Sequence, residues 1–179
     1  MPIYTKKGDK GTTSTIKDPK TKISKASLLV NAIGNIDELN SFIGIIISQS
    51  DDEILKTKLF DIQNTLLTIG SCLAGSRLKI TKSKVTKMES AIDEMTSQMP
   101  PLKNFVFPGG AKDAANLQFA RALSRRAERG VVALSEAEGE VEGSIPNILM
   151  YLNRLSDYLF TLARFQNHKA HVADKLWQA

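Results

Sequence analysis

The chain has 179 residues, of which 42% are hydrophobic and 24% charged, as in an ordinary soluble globular protein. This length fits one domain with a sizeable core, and no apolar run approaches the roughly 20 residues that a membrane-spanning helix needs. The single Cys72 excludes an intrachain disulfide, and no Cys or His spacing indicates structural zinc. The start carries no signal or transit segment, so we expect a cytoplasmic protein with no membrane partner.

Positive charge is concentrated at the start of the chain. The first 25 residues contain seven Lys and two Asp, and their net charge of +5 equals that of the whole chain. This segment is rich in Gly and Thr and has no apolar period, so we expect an arm without regular structure. A basic arm on a neutral body indicates a polyanionic partner, for which nucleic acid and a nucleoside triphosphate both qualify.

After the arm, apolar residues recur at helical spacing almost throughout. Asn35 followed by Glu38 resembles an N-cap with its capping-box partner and predicts the start of the first helix. Caps and helix breakers delimit the remaining helices. Asp51 and Asp52 open the second helix, Thr81 opens the third, and Pro100 and Pro101 end the third. The fourth helix runs over 111–137, and Ser144 with Pro146 opens the fifth.

Five helices with short links predict a single all-α domain, a five-helix bundle with an N-terminal arm. The arm covers residues 1–25, the bundle 35–169, and a polar tail 170–179 that we expect to fray; no strand pairing is expected. The side chains predicted to face the core are Ile36, Leu39, Ile43, Ile46, Ile47, Leu55, Leu59, Ile62, Leu66, Ile69, Leu73, Val85, Met88, Ile92, Met95, Met99, Leu117, Ala120, Ala127, Val131, Leu134, Ile148, Leu152, Leu155, Leu159 and Leu162.

Charged residues on the fourth helix lie beside its apolar stripe. Arg121, Arg125 and Glu128 are spaced i, i+4 and i+7, so at ~100° per residue they fall within about 60° of one another. Charges that border a buried face need partners. A structural ion-pair network and a functional site both satisfy this spacing. The candidate partners are Asp37 and Glu38 on the first helix and Asn153 and Asp157 on the fifth.

The arm has the composition of a phosphate-binding loop. Its backbone N–H groups, hydroxyls and lysines between residues 5 and 13 could cradle phosphate oxygens. It is not a P-loop, because Gly8 and Gly11 enclose only two residues and no strand precedes them. Neither a catalytic triad nor a paired-carboxylate site is supported. The residues alone therefore predict a helical bundle with a phosphate-binding arm and specify no reaction.

Five segments of the sequence together resemble the PduO-type corrinoid adenosyltransferases. They are Tyr4-Thr-Lys-Lys-Gly-Asp-Lys-Gly-Thr-Thr13, Gly34-Asn-Ile-Asp-Glu-Leu-Asn-Ser41, Phe105-Val-Phe-Pro-Gly-Gly110, Ala120-Arg-Ala-Leu-Ser-Arg-Arg-Ala-Glu-Arg129 and Tyr151-Leu-Asn-Arg-Leu-Ser-Asp157. The resemblance covers most of the chain and implies a ferritin-like five-helix bundle with a nucleotide-binding arm. It also implies a homotrimer with active sites between subunits.

The implied reaction transfers the 5′-deoxyadenosyl group of ATP to the cobalt of cob(I)alamin, forming adenosylcobalamin and releasing triphosphate. Cob(I)alamin is itself the nucleophile, which agrees with the lack of an activated Ser, Cys or Lys. ATP, Mg²⁺ and cobalamin are the implied ligands, and a corrinoid reductase and an adenosylcobalamin-dependent enzyme are implied partners. A non-catalytic ATP- or corrinoid-binding bundle is the alternative, and a nucleic-acid-binding bundle, motivated by the basic arm, is less favoured.

The resemblance also assigns residue roles. The residues it assigns to ATP binding are Thr5, Lys6, Lys7, Gly8, Thr13, Ser14, Lys25, Arg125, Arg126, Glu128, Arg129 and Asn153. Catalytic roles are implied for Arg125 and for Arg121 with Asp37, which match the family's ion pair between subunits. Phe105 matches the aromatic residue that displaces the lower axial ligand of the corrinoid.

Two features depart from the family pattern. Ser27 stands where an acid is usual and Leu29 where an arginine is usual, so one ionic contact is missing together with both partners. The arm also lacks the usual Gly-x-Arg/Lys segment. We expect these differences to affect the path of the arm and the affinity for ATP.

Overall fold

The computed structural model describes residues 3–4, 6–138 and 145–178. Its helices are α1 Leu28–Gln49, α2 Glu53–Leu73, α3 Lys82–Ser97, α4 Lys112–Glu138 and α5 Ile145–Lys169, and its two short strands are β1 Thr12–Thr13 and β2 Ile23–Ser24. The predicted five-helix bundle is confirmed. No helix within the described ranges is long and apolar enough to cross a membrane.

The helices enclose one apolar core. α4 packs against both α1 and α5, while α2 packs on α1 and α3 on α5. All the side chains predicted to face the core are buried except Ile92, which is partly buried against it. Full burial of a Leu or Ile side chain is worth about 1.5–3 kcal/mol, so the apolar stripes account for the packing of all five helices.

The predicted start of the first helix is wrong by two turns. α1 begins at Leu28, and the hydroxyl of Ser27 caps it by accepting a hydrogen bond from the Val30 N–H at 3.4 Å. Asn35 lies inside α1 and faces Gly130 on α4, where a Cβ would come within 2.6 Å of the Asn35 amide nitrogen. Asn35 is thus a packing residue at a close helix crossing. Ser27, which departs from the family pattern, has the capping role.

The other helix boundaries agree better with the sequence. Asp52 and Thr81 are the N-cap residues of α2 and α3, as predicted. α3 ends at Ser97, shortly before the two prolines, and α4 is shifted by one residue from the predicted range of 111–137. The predicted opening of the fifth helix at Ser144 lies outside the described residues.

The arm has more structure than expected. β1 and β2 pair antiparallel with Thr12 opposite Ser24, so the expectation of no strand pairing is wrong. Asp18 closes the connection, because its carboxylate accepts hydrogen bonds from the backbone N–H groups of Lys20 and Thr21, both at 3.1 Å. The Ile16 N–H donates to the Ala74 carbonyl at 3.0 Å, which fastens the arm to the end of α2.

The C-terminal tail is also ordered, contrary to the expectation that it frays. Residues 175–177 run beside the loop that precedes α4, with a bridge between Val106 and Leu176. The Phe107 N–H donates to the Lys175 carbonyl at 2.8 Å, and the Trp177 N–H donates to the Phe105 carbonyl at 2.7 Å. Backbone pairing with a distant loop holds this polar segment, which has no periodicity of its own.

Asp52 joins the start of α2 to the end of α5. One carboxylate oxygen accepts the backbone N–H groups of Ile54 and Leu55, and the other accepts Gln166 at 3.0 Å and Lys169 at 2.5 Å. Burial acts to raise the pKa of Asp52, but these hydrogen bonds and the Lys169 charge lower it to about 2. The ionised carboxylate therefore stabilises the fold above its unfolded pKa of about 4, and this stability is lost as the pH falls toward 2.

We expect the Asp52→Asn substitution to lower the free energy of unfolding by about 1–2 kcal/mol at pH 7, because it removes the charge but leaves a capping group. The loss should shrink between pH 4 and pH 2, where the wild-type carboxylate becomes protonated. Urea unfolding at pH 7 and pH 3 measures both effects. Asp51→Asn is the matched control on the exposed neighbouring residue. Equal losses in the two variants would contradict the assignment.

Candidate functional site

Two arginines one turn apart form a positive surface on α4. Arg121 is partly buried, and its Nε donates to the Gln118 side chain at 2.9 Å. Burial of the guanidinium and the charge of Arg125 lower the pKa of Arg121. Arg125 is exposed and makes no ion pair or side-chain hydrogen bond with any described residue. The surface therefore offers an unneutralised guanidinium to an anionic ligand.

Glu128 and Asn153 connect this surface to α5. The Asn153 amide donates to a carboxylate oxygen of Glu128 at 2.9 Å. Arg126, next to Arg125 in sequence, instead forms an ion pair with Glu38 on α1. The charges on this helix could form structural ion pairs or a functional site, and Arg126 forms a structural ion pair. Arg125 and the exposed Arg129 do not, because the described residues provide no partner for them.

The arm folds into a small cradle around Lys25. The Gly11 N–H donates to the Gly8 carbonyl at 3.2 Å, and the Lys25 N–H donates to the Gly11 carbonyl at 2.9 Å. A Cβ on Gly8 would lie 3.1 Å from the Lys25 ammonium, so the glycine permits this approach. The Lys25 ammonium thus lies against glycine backbone, an arrangement that brings positive charge to the fold of the arm. Of the other arm residues predicted to bind ATP, Lys6 and Lys7 are exposed, Thr13 and Ser14 are partly buried, and Thr5 lies outside the described residues.

Phe105 presents an apolar ring to solvent. It is 77% exposed and makes an edge contact with Trp177 at 6.3 Å between ring centroids. The two rings border an open cavity of about 390 Å³ whose other lining residues are Leu102, Lys103 and Asn104. An exposed aromatic pair beside a cavity of this size can contact a large, flat apolar ligand.

A single chain does not bring all of the predicted site residues together. Phe105 precedes α4, whereas Glu128 lies 16 residues after Lys112, which is about 24 Å along the helix. Asp37 is exposed on α1, and no ion pair between Asp37 and Arg121 forms within the part of the chain that the structure describes. The arginine surface therefore lies near the middle of α4, about 13–20 Å along the helix from its start, whereas Phe105 precedes that start.

The sequence interpretation missed a polar cluster at the Phe105 end. Arg164 and Asn167 are buried on α5, and Asp174 and Trp177 follow in the tail. Arg164 and Asn167 are one turn apart on a face of α5 that also carries Thr161, and a buried charge needs a partner. Their spacing in the sequence gives no local signal of the docked tail.

The side chains of the described residues do not form a metal-binding cage. Among the described residues, no group of three or more His, Cys, Asp or Glu side chains is placed to hold a metal ion. Mg²⁺ commonly retains water and binds through substrate phosphates with one or two carboxylates. The site fits a magnesium ion that arrives with a nucleoside triphosphate, and Glu128 is the carboxylate nearest to the arginine surface in sequence.

Comparison with known proteins identifies the family. The family model described as cobalamin adenosyltransferase matches residues 3–166. A corrinoid adenosyltransferase of Bacillus subtilis is 42% identical over 182 residues, covering 97% of this chain and 91% of the relative. The human corrinoid adenosyltransferase MMAB is 40% identical over 187 residues, covering 98% of this chain and 72% of the relative.

A solved structure extends the likeness to three dimensions. A variant PduO-type ATP:corrinoid adenosyltransferase from Lactobacillus reuteri, complexed with cobalamin and ATP, superposes with a TM-score of 0.91. The two proteins are 35% identical, and the match covers 99% of this chain and 97% of the other. On its sequence, its helical bundle and these relatives, the chain belongs to the cobalamin adenosyltransferase family.

Proposed function

We propose that this chain transfers the 5′-deoxyadenosyl group of ATP to the cobalt of a reduced corrinoid and releases triphosphate. The observation that carries the proposal is the exposed, unneutralised Arg125 beside the Glu128–Asn153 contact. The family and the Lactobacillus reuteri relative complexed with cobalamin and ATP support both substrates.

The chemistry requires positive charge rather than a protein nucleophile. The electron pair of cobalt(I) attacks the 5′ carbon of ATP, and the cobalt–carbon bond forms as the carbon–oxygen bond breaks. The departing pair remains on the triphosphate oxygen, where negative charge develops. Groups that stabilise this charge lower the barrier. In this proposal Arg125 and Lys25 supply that charge, and a magnesium ion bound to the triphosphate would supply more.

The remaining residues have orienting roles in this proposal. The cradle formed by Gly8, Gly11 and Lys25 holds phosphate oxygens, while Lys6, Lys7, Thr13 and Ser14 lie along the same arm. Asn153 fixes the Glu128 carboxylate, which leaves the second carboxylate oxygen for ligand. Arg126 is held by Glu38 and Arg129 is exposed, so Arg129 is the better placed of the two to contact nucleotide.

The site is completed between subunits of a homotrimer in this proposal. Arg121 and Asp37, which do not pair within one chain, would pair across the interface, and Phe105 of one subunit would approach the arginine surface of another. Exposed apolar side chains on α1 and α4 support such an interface, since Ile45 is 46% and Phe119 54% exposed. Sedimentation equilibrium tests the subunit number.

A direct assay tests the reaction. Purified protein is mixed anaerobically with ATP, Mg²⁺ and chemically reduced cob(I)alamin, and the corrinoid spectrum and phosphate products are followed. Conversion to adenosylcobalamin with release of intact triphosphate is expected. Binding of ATP without turnover would overturn the proposal and favour a nucleotide- or corrinoid-binding protein that performs no chemistry.

We expect deletion of residues 1–12 to raise the apparent KM for ATP about tenfold or more, because hydrogen bonds to charged groups are worth about 1.5–3 kcal/mol each. The helical circular-dichroism signal should persist, since the deletion leaves all five helices intact. Lys20→Ala, at the exposed turn of the arm, is the control for loss of charge alone. An unchanged KM would remove the arm from ATP binding, and a lost helical signal would make it structural.

A further inference from the structure

A buried ionic cluster holds the C-terminal tail against α5. Arg164 donates from Nε to one carboxylate oxygen of Asp174 at 2.8 Å, and the Asn167 amide donates to the other at 3.0 Å. Arg164 also donates from Nη2 to the Pro100 carbonyl at 3.0 Å. Arg164 is only 9% and Asn167 only 5% exposed, so Asp174 pairs with groups that have little other access to solvent.

The same cluster holds the loop before α4. The Asn167 amide donates to the Gly109 carbonyl at 3.1 Å, and its oxygen accepts the Ala111 N–H at 2.9 Å. Gly110 has a φ of +111° and packs so closely on Asn167 that a Cβ would collide with the amide. One side chain thus joins the tail to the loop. We call Arg164, Asn167 and Asp174 the clasp.

The clasp controls the backbone on both sides of Phe105. It fixes Pro100 before the loop and Gly109 after it, and the tail beside it pairs with the Phe105 and Phe107 backbones. The Phe105 ring is 77% exposed, so surrounding side chains do little to set its position. Its placement depends on the backbone that the clasp holds.

We propose that Arg164, Asn167 and Asp174 are positioning residues that set Phe105 against the corrinoid. The inference rests on the proposed role of Phe105 in removing the lower axial ligand. A structural pair alone would need only one bond from Arg164 to Asp174. Here Arg164 also binds the Pro100 carbonyl, and Asn167, the other partner of Asp174, binds Gly109 and Ala111, so the contacts converge on the loop that carries the ring.

The single tryptophan reports on the clasp independently of activity. Trp177 is the only Trp in the chain and lies against Phe105, three residues after Asp174. Asp174→Ala should shift its fluorescence to longer wavelength and increase quenching by acrylamide, because the tail leaves the loop. Asp61→Ala, which breaks the exposed ion pair with Lys84, is the matched control and should change neither property. Unchanged fluorescence in Asp174→Ala would overturn the clasp.

Kinetic measurements distinguish a clasp that positions Phe105 from one that only attaches the C-terminal tail. In Asp174→Ala, the rate from cob(II)alamin with a reductant should fall about tenfold, while the rate from pre-reduced cob(I)alamin changes little, since small displacements near the reacting centre are costly. Asp174→Asn keeps the shape of the side chain and loses its charge, so its rate from cob(II)alamin should fall less than that of Asp174→Ala. This variant replaces Asp174→Ala in the test if the alanine variant fails to fold. A released tail with an unchanged ratio of the two rates would overturn the positioning role.

Phe105→Ala, measured in parallel, distinguishes failure of this inference from failure of the proposed function. A changed rate ratio in Phe105→Ala but not in Asp174→Ala would refute the clasp alone. An unchanged ratio in both variants would instead refute the role of Phe105, on which the inference depends.

Discussion

The Arg125→Ala variant is expected to lose about two to three orders of magnitude in turnover, the usual effect of removing one group that stabilises transition-state charge. Arg125 is exposed, lies one turn from Arg121 and has no ion-pair partner among the described residues. In the proposed mechanism, its charge is therefore available to the triphosphate as the carbon–oxygen bond breaks. The loss should appear in kcat at saturating ATP and cob(I)alamin, because charge on the leaving oxygen grows toward the transition state.

Two further variants make this test specific. Arg125→Lys keeps the charge but not the planar fork of donors, so it should recover part of the rate. Arg154→Ala removes an arginine that is paired with Glu89 and Asp157, and it should retain near wild-type turnover. Near-normal turnover in Arg125→Ala would exclude the assigned role, whatever the affinity for ATP.

Helical periodicity predicted the core because burial is a local property of each helix face. The stripes in all five helices face inward, and the Asp52 side chain caps α2, which it was predicted to open. Thr81 occupies the predicted N-cap position of α3 but makes no side-chain hydrogen bond to the helix backbone. An N-cap side chain bonds to backbone groups two or three residues away, so its signal is contained in a short stretch of sequence.

The errors arose where capping signals compete or strands are short. Ser27 and Asn35 both have cap-forming side chains, and the capping box with Glu38 favoured the second. Tertiary packing decides otherwise, because Asn35 contacts Gly130 in a close crossing of α1 and α4. The strands of the arm are two residues long, too short for alternation, although Asp18 before a proline is a turn signal.

The candidate site was predictable only in part. The spacing of Arg125 and Glu128 located the charged face of α4, and Asn153 does contact Glu128. The pairing of Phe105 with Trp177 joins segments distant in sequence, and no local pattern specifies such a contact. Arg121 and Asp37 remain a predicted pair between subunits, since one chain does not unite them.

Phe105→Ala is expected to slow the reaction from cob(II)alamin about 10- to 100-fold, since a Phe ring that becomes buried against the corrinoid would contribute about 1.5–3 kcal/mol of apolar contact. The ring and Trp177 border a cavity of about 390 Å³, where they would cover one face of the corrinoid. Excluding water and the lower ligand from that face favours a four-coordinate cobalt(II), which is easier to reduce.

The same substitution should have a small effect on pre-reduced cob(I)alamin, which has no lower ligand to lose, so the ratio of the two rates carries the test. Anaerobic assays with and without prior reduction measure it. Phe107→Ala is the matched control, because Phe107 is 48% exposed in the same loop but lies under the Lys175 ammonium rather than beside Trp177. Equal losses from both cobalt states would show that Phe105 serves binding in general. A selective loss from cob(II)alamin would place its effect before the transfer itself, at the reduction of cobalt.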